Sequence, residues 1–204
     1  MNKLKEFSKT LTFWLVLINI AIYIAILICP NLACYLWSYN INYNAPTEIW
    51  RFITPIFTHI YLYHLVANLL SLIYLGSLIE RYLTKAEFLC VYLSTGIIAE
   101  IATSITYSWF APDTVGLGAS GAIYGLMGFF ITTVVDKKDR LKILIVVIIS
   151  AVGVNLFIPN ISNIAHFAGL FSGLVFGYIF MKCCKHEKAD KFLEEYMVEV
   201  KSKF

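Results

Sequence analysis

Ser120 lies in the stretch Gly116-Leu-Gly118-Ala-Ser120-Gly121-Ala-Ile-Tyr124-Gly125, a setting that suits a nucleophile. Gly118 and Gly121 permit backbone positions and close approaches that a Cβ forbids. They leave Ser120 near a predicted helix start, where unpaired N–H groups and the helix dipole favour developing negative charge. A serine hydroxyl attacking a carbonyl needs such donors behind the oxyanion. The pattern is not the GxSxG elbow of soluble hydrolases, because here the second glycine follows the serine directly. Taken alone, the stretch reads equally well as a glycine-rich helix start with Ser120 as its cap.

A base for that serine has to come from another helix. His166 stands in Ala165-His166-Phe-Ala-Gly169-Leu-Phe-Ser-Gly173, and Gly177 extends the glycine spacing. Small residues four apart let two helices approach closely. Gly121, Gly125 and Gly128 make a comparable stripe behind Ser120, and packing the two stripes together brings His166 toward it at matching depth. His64 and Asn68 are spaced i, i+4 and so share one helical face. They either donate into the same site or form an ordinary helix–helix hydrogen bond. Ser162, four residues before His166, is a rival nucleophile without a glycine setting, and it more readily starts a helix after Pro159-Asn160. Of the carboxylates, Glu48 and Asp113 fall in loops and Glu80 at the opposite end of its helix. Glu100 is the one candidate for a third member, and it can equally bond hydroxyls such as Thr103 and Ser104. The pattern therefore predicts a Ser120–His166 dyad with no acid.

The elements that carry these residues read as membrane helices. Apolar residues make up 59% of the 204-residue chain and charged residues 14%, against about a quarter charged in soluble domains. Six apolar stretches are separable, at about 11–29, 61–80, 86–107, 119–135, 141–158 and 164–182. Most approach the ~20 residues that cross a bilayer as helix, and backbone satisfaction in lipid favours helices. The expected fold is all-α, a polytopic six-helix bundle over 11–182, with an N-terminal segment 1–10 and a charged, faintly amphipathic tail 183–204. The first stretch is too long for a signal-peptide core and no small-x-small cleavage site follows it.

Basic residues set an orientation. With both termini in the cytoplasm, all but Arg51 of the 16 Lys and Arg lie inside, as the positive-inside rule requires. The aromatic-rich 30–60 loop then lies outside, at the membrane surface. The net charge of +3 and the lack of a basic patch give no nucleic-acid footprint. Five cysteines without CxxC spacing make neither a metal site nor a full set of bridges. No metal or cofactor is expected, and nothing in the sequence sets the oligomeric state.

These motifs resemble those of the rhomboid intramembrane serine proteases, over about residues 46–178. Glu48-Ile-Trp50-Arg51 is similar to the Trp-Arg element of the family's first outer loop. His59 with His64-x-x-x-Asn68, continued by Tyr74-Leu75-Gly76 to Glu80, resembles the second-helix motif. Gly118-x-Ser120-Gly121 with Tyr124 resembles the nucleophile motif, and Ala165-His166-x-x-Gly169-x-x-x-Gly173 the base motif. The resemblance implies that Ser120 attacks a peptide carbonyl with His166 as general base and then acid. It implies an oxyanion hole of the Ser120 N–H, His64 and Asn68. Gly118, Gly121, Tyr124 and Gly169 would shape the site, with Tyr124 against the His166 ring and the Trp50–Arg51 loop structural. Substrates would be transmembrane proteins cut in or near their span in the bilayer, entering past a gate at the 159–163 loop and the end of the fifth helix. The competing classes are a non-catalytic rhomboid-like protein that binds membrane clients and a small transporter. The latter is disfavoured by the absence of an internal repeat.

Overall fold

The computed structural model describes residues 2–40, 47–154 and 162–201. Six helices fall on the six apolar stretches: α1 Leu11–Ile28, α2 Leu62–Ile79, α3 Lys85–Phe110, α4 Ser120–Thr133, α5 Lys137–Val154 and α6 Asn163–Ile179, which runs on into a π-turn at Phe180–Cys184. A further helix, α7, spans Glu187–Lys201 in the tail. Helices α1, α2, α3 and α6 are long and apolar enough to cross a membrane; α4 is apolar but shorter. The start of α5 is the charged run Lys137-Lys138-Asp139-Arg140-Leu-Lys142. Residues 155–158 of the fifth expected stretch, and with them most of the expected gate at 159–163, lie outside the described residues.

The helix starts are set by local chemistry. Thr10 caps α1 by accepting from the Phe13 N–H at 3.1 Å. Glu80, just past the end of α2, accepts from the Leu11 and Thr12 N–H groups at 2.6 and 3.0 Å. One carboxylate thereby satisfies the orphan donors of a neighbouring helix. Thr84 and Glu87 form a reciprocal capping box at the start of α3.

Helices α4 and α6 pack backbone against backbone. A Cβ on Gly169 would land on the Gly121 carbonyl oxygen, one on Gly173 on the Gly125 carbonyl, and one on Gly128 on the Leu170 carbonyl. Helix α3 closes the other side of α4, where Ala99 meets Gly121 and Thr95 meets Gly125. Tyr82, Phe88, Tyr92, Leu126 and Phe129 are fully buried in the core between the helices, and Tyr82 Oη bonds Thr133 Oγ1 at 2.9 Å. Large apolar side chains such as Ile28, Leu70, Ile149 and Phe171 point outward, as helices in lipid require.

The tail does more than follow the last helix. Ala189, Phe192 and Leu193 of α7 are buried. Phe192 stacks on Tyr82 with centroids 5.0 Å apart, and the Arg81 guanidinium lies over the Phe192 ring at 5.0 Å. Lys188 donates to the Leu83 carbonyl. The apolar face of this amphipathic helix thus packs on the α2–α3 turn. The five cysteines are unpaired and exposed.

Candidate active site

Ser120 is the first residue of α4, and Ala119 holds the cap position without a side-chain bond. The reading of Ser120 as the cap is therefore corrected. Its hydroxyl has no hydrogen-bond partner among the described residues, because the loop before it, not a serine cap, fixes this helix end. Three contacts hold that loop. The Gly118 N–H donates to the Pro55 carbonyl at 2.8 Å, and Gly116 exchanges two backbone hydrogen bonds of 2.9 Å with Ser38. The Ala119 N–H points at His59 Nε2 at 3.5 Å. Gly118 has φ +114°, a conformation that L side chains rarely adopt, and a Cβ there would sit 2.6 Å from His64 Cε1.

The loop and helix end face a cavity of about 310 Å³ that contains His64, Gly118, Ser120, Glu100 and Ser162 in its wall. Across the bundle, the Ala165 carbonyl lies 3.6 Å from the position of a Cβ on Gly121. Ser120 and His166, each the chain neighbour of one of these residues, therefore belong to facing turns of α4 and α6. The Tyr124 ring stacks on the His166 ring, with centroids 4.1 Å apart and planes 18° from parallel. His166 is buried, and its Nδ1 has no hydrogen-bond partner among the described residues. None of the hydrogen bonds among these residues joins Ser120 Oγ to His166. In this ligand-free arrangement the two are neighbours across a helix contact, and catalytic hydrogen bonds of apo sites commonly tighten only when substrate is bound.

His64 lines the cavity directly, whereas Asn68, 7% exposed, is not one of the residues that line it. Asn68 Nδ2 is 3.0 Å from His59 Nε2. The Ala119 N–H can only donate, so Nε2 is assigned as the acceptor of both contacts and the ring proton is placed on Nδ1. Burial, and His64 beside it, lower the His59 pKa to about 3, which keeps the ring neutral. His59 thereby ties Asn68 of α2 to the backbone beside Ser120. The sequence motifs include His59 without a role for it. Nine residues and a helix start separate it from Asn68, so no helical periodicity links the pair.

Glu100 does not pair with Thr103, whose hydroxyl faces Ser162 Oγ at 3.5 Å. Its Oε2 accepts from Ser38 Oγ at 2.7 Å. The reason is reach: the bridge to Gly116 holds Ser38 against α3 at Glu100. Ser162 caps α6, accepting from the Ala165 N–H at 3.2 Å. Arg51, 4% exposed, pairs with Glu48 and donates to the carbonyls of Cys34 and Trp37, both at 2.8 Å, with Tyr39 against its guanidinium. It ties residues 34–39 to the segment that follows Glu48. No group of three or more His, Cys, Asp or Glu with metal-holding geometry occurs among the described residues.

A family model described as the Rhomboid domain matches residues 46–183. The rhomboid-family protein YdcA of Bacillus subtilis is 36% identical over 159 residues, covering 74% of this chain and 78% of that protein. Rhomboid protease GluP of the same organism is 37% identical over 134 residues, which are 63% of this chain and 25% of GluP. Rhomboid-related protein 2 of Mus musculus is 33% identical over 153 residues, 67% of this chain and 49% of that protein.

Proposed function

The chain belongs to the rhomboid family, and on that footing we propose that it is an intramembrane serine endopeptidase working through Ser120 and His166. The observation that carries the proposal is the cavity at the start of α4, where Ser120 and His64 share one wall. Ser120 Oγ attacks the scissile carbonyl of a transmembrane substrate, and His166 takes the hydroxyl proton and returns it to the leaving amine. The oxyanion is received by the Ser120 N–H at the helix start, where backbone donors lack intrahelical partners, and by His64, with Asn68 as a further donor. Asn68 keeps a second amide hydrogen for this after bonding His59. Tyr124 holds the His166 ring by stacking, and Gly118, Gly121 and Gly169 let the helices close around the pair.

The working unit is 11–182, with 1–10 and the tail 183–204 in the cytoplasm of a cell-membrane protein. The distribution of Lys and Arg supports this orientation, which opens the cavity to the external side. Cleavage by a dyad without an acid suits the arrangement, since Glu100 turns to Ser38. Client binding without cleavage is the second reading, favoured by the missing Ser120–His166 hydrogen bond. Purified protein in liposomes with a panel of single-span substrates separates the two. The protease reading expects fragments cut in or near the span that vanish in Ser120→Ala and His166→Ala. Binding of the same substrates with no fragment from the wild type would replace it by the second reading.

A further inference from the structure

The chemistry proposed above uses Ser120 and His64 and leaves one wall of their cavity without a role. That wall comes from α3, where Glu100, Thr103 and Tyr107 at i, i+3 and i+7 share a face, together with Asp113 and Ser162. Among the described residues lining the cavity there are two carboxyl groups and neither Lys nor Arg. Glu100 is 4% exposed, so nearly all of it is withdrawn from solvent. Its Oε2 is occupied by Ser38, whereas Oε1 accepts no hydrogen bond among the described residues. Glu100 lines the cavity, so a ligand that brings a cation or N–H donors can reach this free oxygen, and a charge pair formed there is stronger than one in bulk water.

Packing brings this group close to the reacting centre. Ala99 of α3 meets Gly121 of α4, where a Cβ on the glycine would lie 2.6 Å from the alanine methyl. Glu100 and Ser120 are the chain neighbours of these two residues and border the same contact. At about 310 Å³ the cavity is at the lower limit of ligand pockets, which run ~300–1,000 Å³. That leaves room for one substrate side chain and the reacting carbonyl, not for a folded partner.

We infer that the α3 wall is a selectivity pocket for a Lys or Arg side chain of the substrate near the cut bond, with Glu100 Oε1 as its acceptor and Asp113 adding a second negative charge. The inference rests on the protease reading and adds to it a substrate class: membrane proteins with a basic residue next to the cleavage site. Ser38 is part of the device, because it fixes the carboxyl group through one oxygen and leaves the other facing the cavity.

The test uses the full chain in liposomes and a single-span reporter in which Lys, Ala or Asp is placed in turn at each of the positions flanking the cut. At one position Lys is preferred over Asp by about tenfold or more in kcat/KM, the scale of a close desolvated charge pair. Glu100→Gln keeps an acceptor for Ser38 and nearly the same shape but removes the charge, and it collapses that Lys-to-Asp ratio toward one. Asp113→Asn lowers the ratio by a smaller factor. If Glu100→Gln does not fold, the wild-type scan and Asp113→Asn carry the test. Cleavage with no Lys preference at any position overturns the pocket and leaves the protease reading standing, as does a preference that survives Glu100→Gln or, where that variant does not fold, Asp113→Asn. No cleavage of any reporter by the wild type overturns both.

Discussion

Replacing Gly169 by Ala adds one methyl group where the α4–α6 contact has room for none. The new Cβ falls on the Gly121 carbonyl oxygen, a backbone atom that cannot rotate away. Relief requires the helices to separate or α6 to slide, and overpacking of this kind costs about 1–3 kcal/mol. For a chain of this size each kcal/mol moves the melting temperature by roughly 2–4 °C, so a fall of about 2–12 °C is expected. Gly153→Ala is the internal control. It lies in α5, a Cβ there meets nothing within 4 Å among the described residues, and exchanging Gly for Ala inside a helix is favourable by about 0.8–1 kcal/mol. Thermal melts of the two variants in one detergent should therefore move in opposite directions. Substrate cleavage should drop in Gly169→Ala as well, because the same contact sets the distance from His166 to Ser120. Equal melting temperatures and equal cleavage rates for the two variants would refute the backbone-to-backbone account of the α4–α6 contact.

Other substitutions probe the surroundings of the site. Ser162→Ala should retain turnover while losing about 0.5–2 kcal/mol of stability through the α6 cap, read by cleavage rate and melt together. Asn68→Ala should slow cleavage by about 10²–10³-fold if it donates to the oxyanion, with KM for substrate little changed. Arg51→Leu leaves Glu48 and the part-buried Cys34 and Trp37 carbonyls without their donor. It should destabilise by about 1–3 kcal/mol, seen as a lower melting temperature and faster proteolysis of the 30–60 loop.

The helices were legible because membrane spans announce themselves by length and apolarity, and the Gly121/Gly169 stripes because small residues repeat at helical spacing. What stayed hidden depends on contacts distant in sequence. Ser38 and Glu100 are 62 residues apart, and only the backbone bridge from Ser38 to Gly116 brings them together. Glu80 reads as a charge at a helix end, yet its partners are the first N–H groups of α1. The pairing of His59 with Asn68 crosses a helix start, where the 3.6-residue rule does not apply. The tail pattern showed an amphipathic helix, but not that Phe192 would stack on Tyr82 instead of lying on lipid.

The central claim is that Ser120 is a nucleophile activated by His166. Labelling of the folded protein in detergent or liposomes with a fluorophosphonate probe, followed by mass spectrometry of the modified peptide, addresses it most directly. The account predicts a single adduct on Ser120 of the wild type, and none in Ser120→Ala or His166→Ala variants that melt normally. An unlabelled Ser120 beside a labelled control hydrolase, an adduct on Ser162 instead, or labelling that persists in His166→Ala would contradict it.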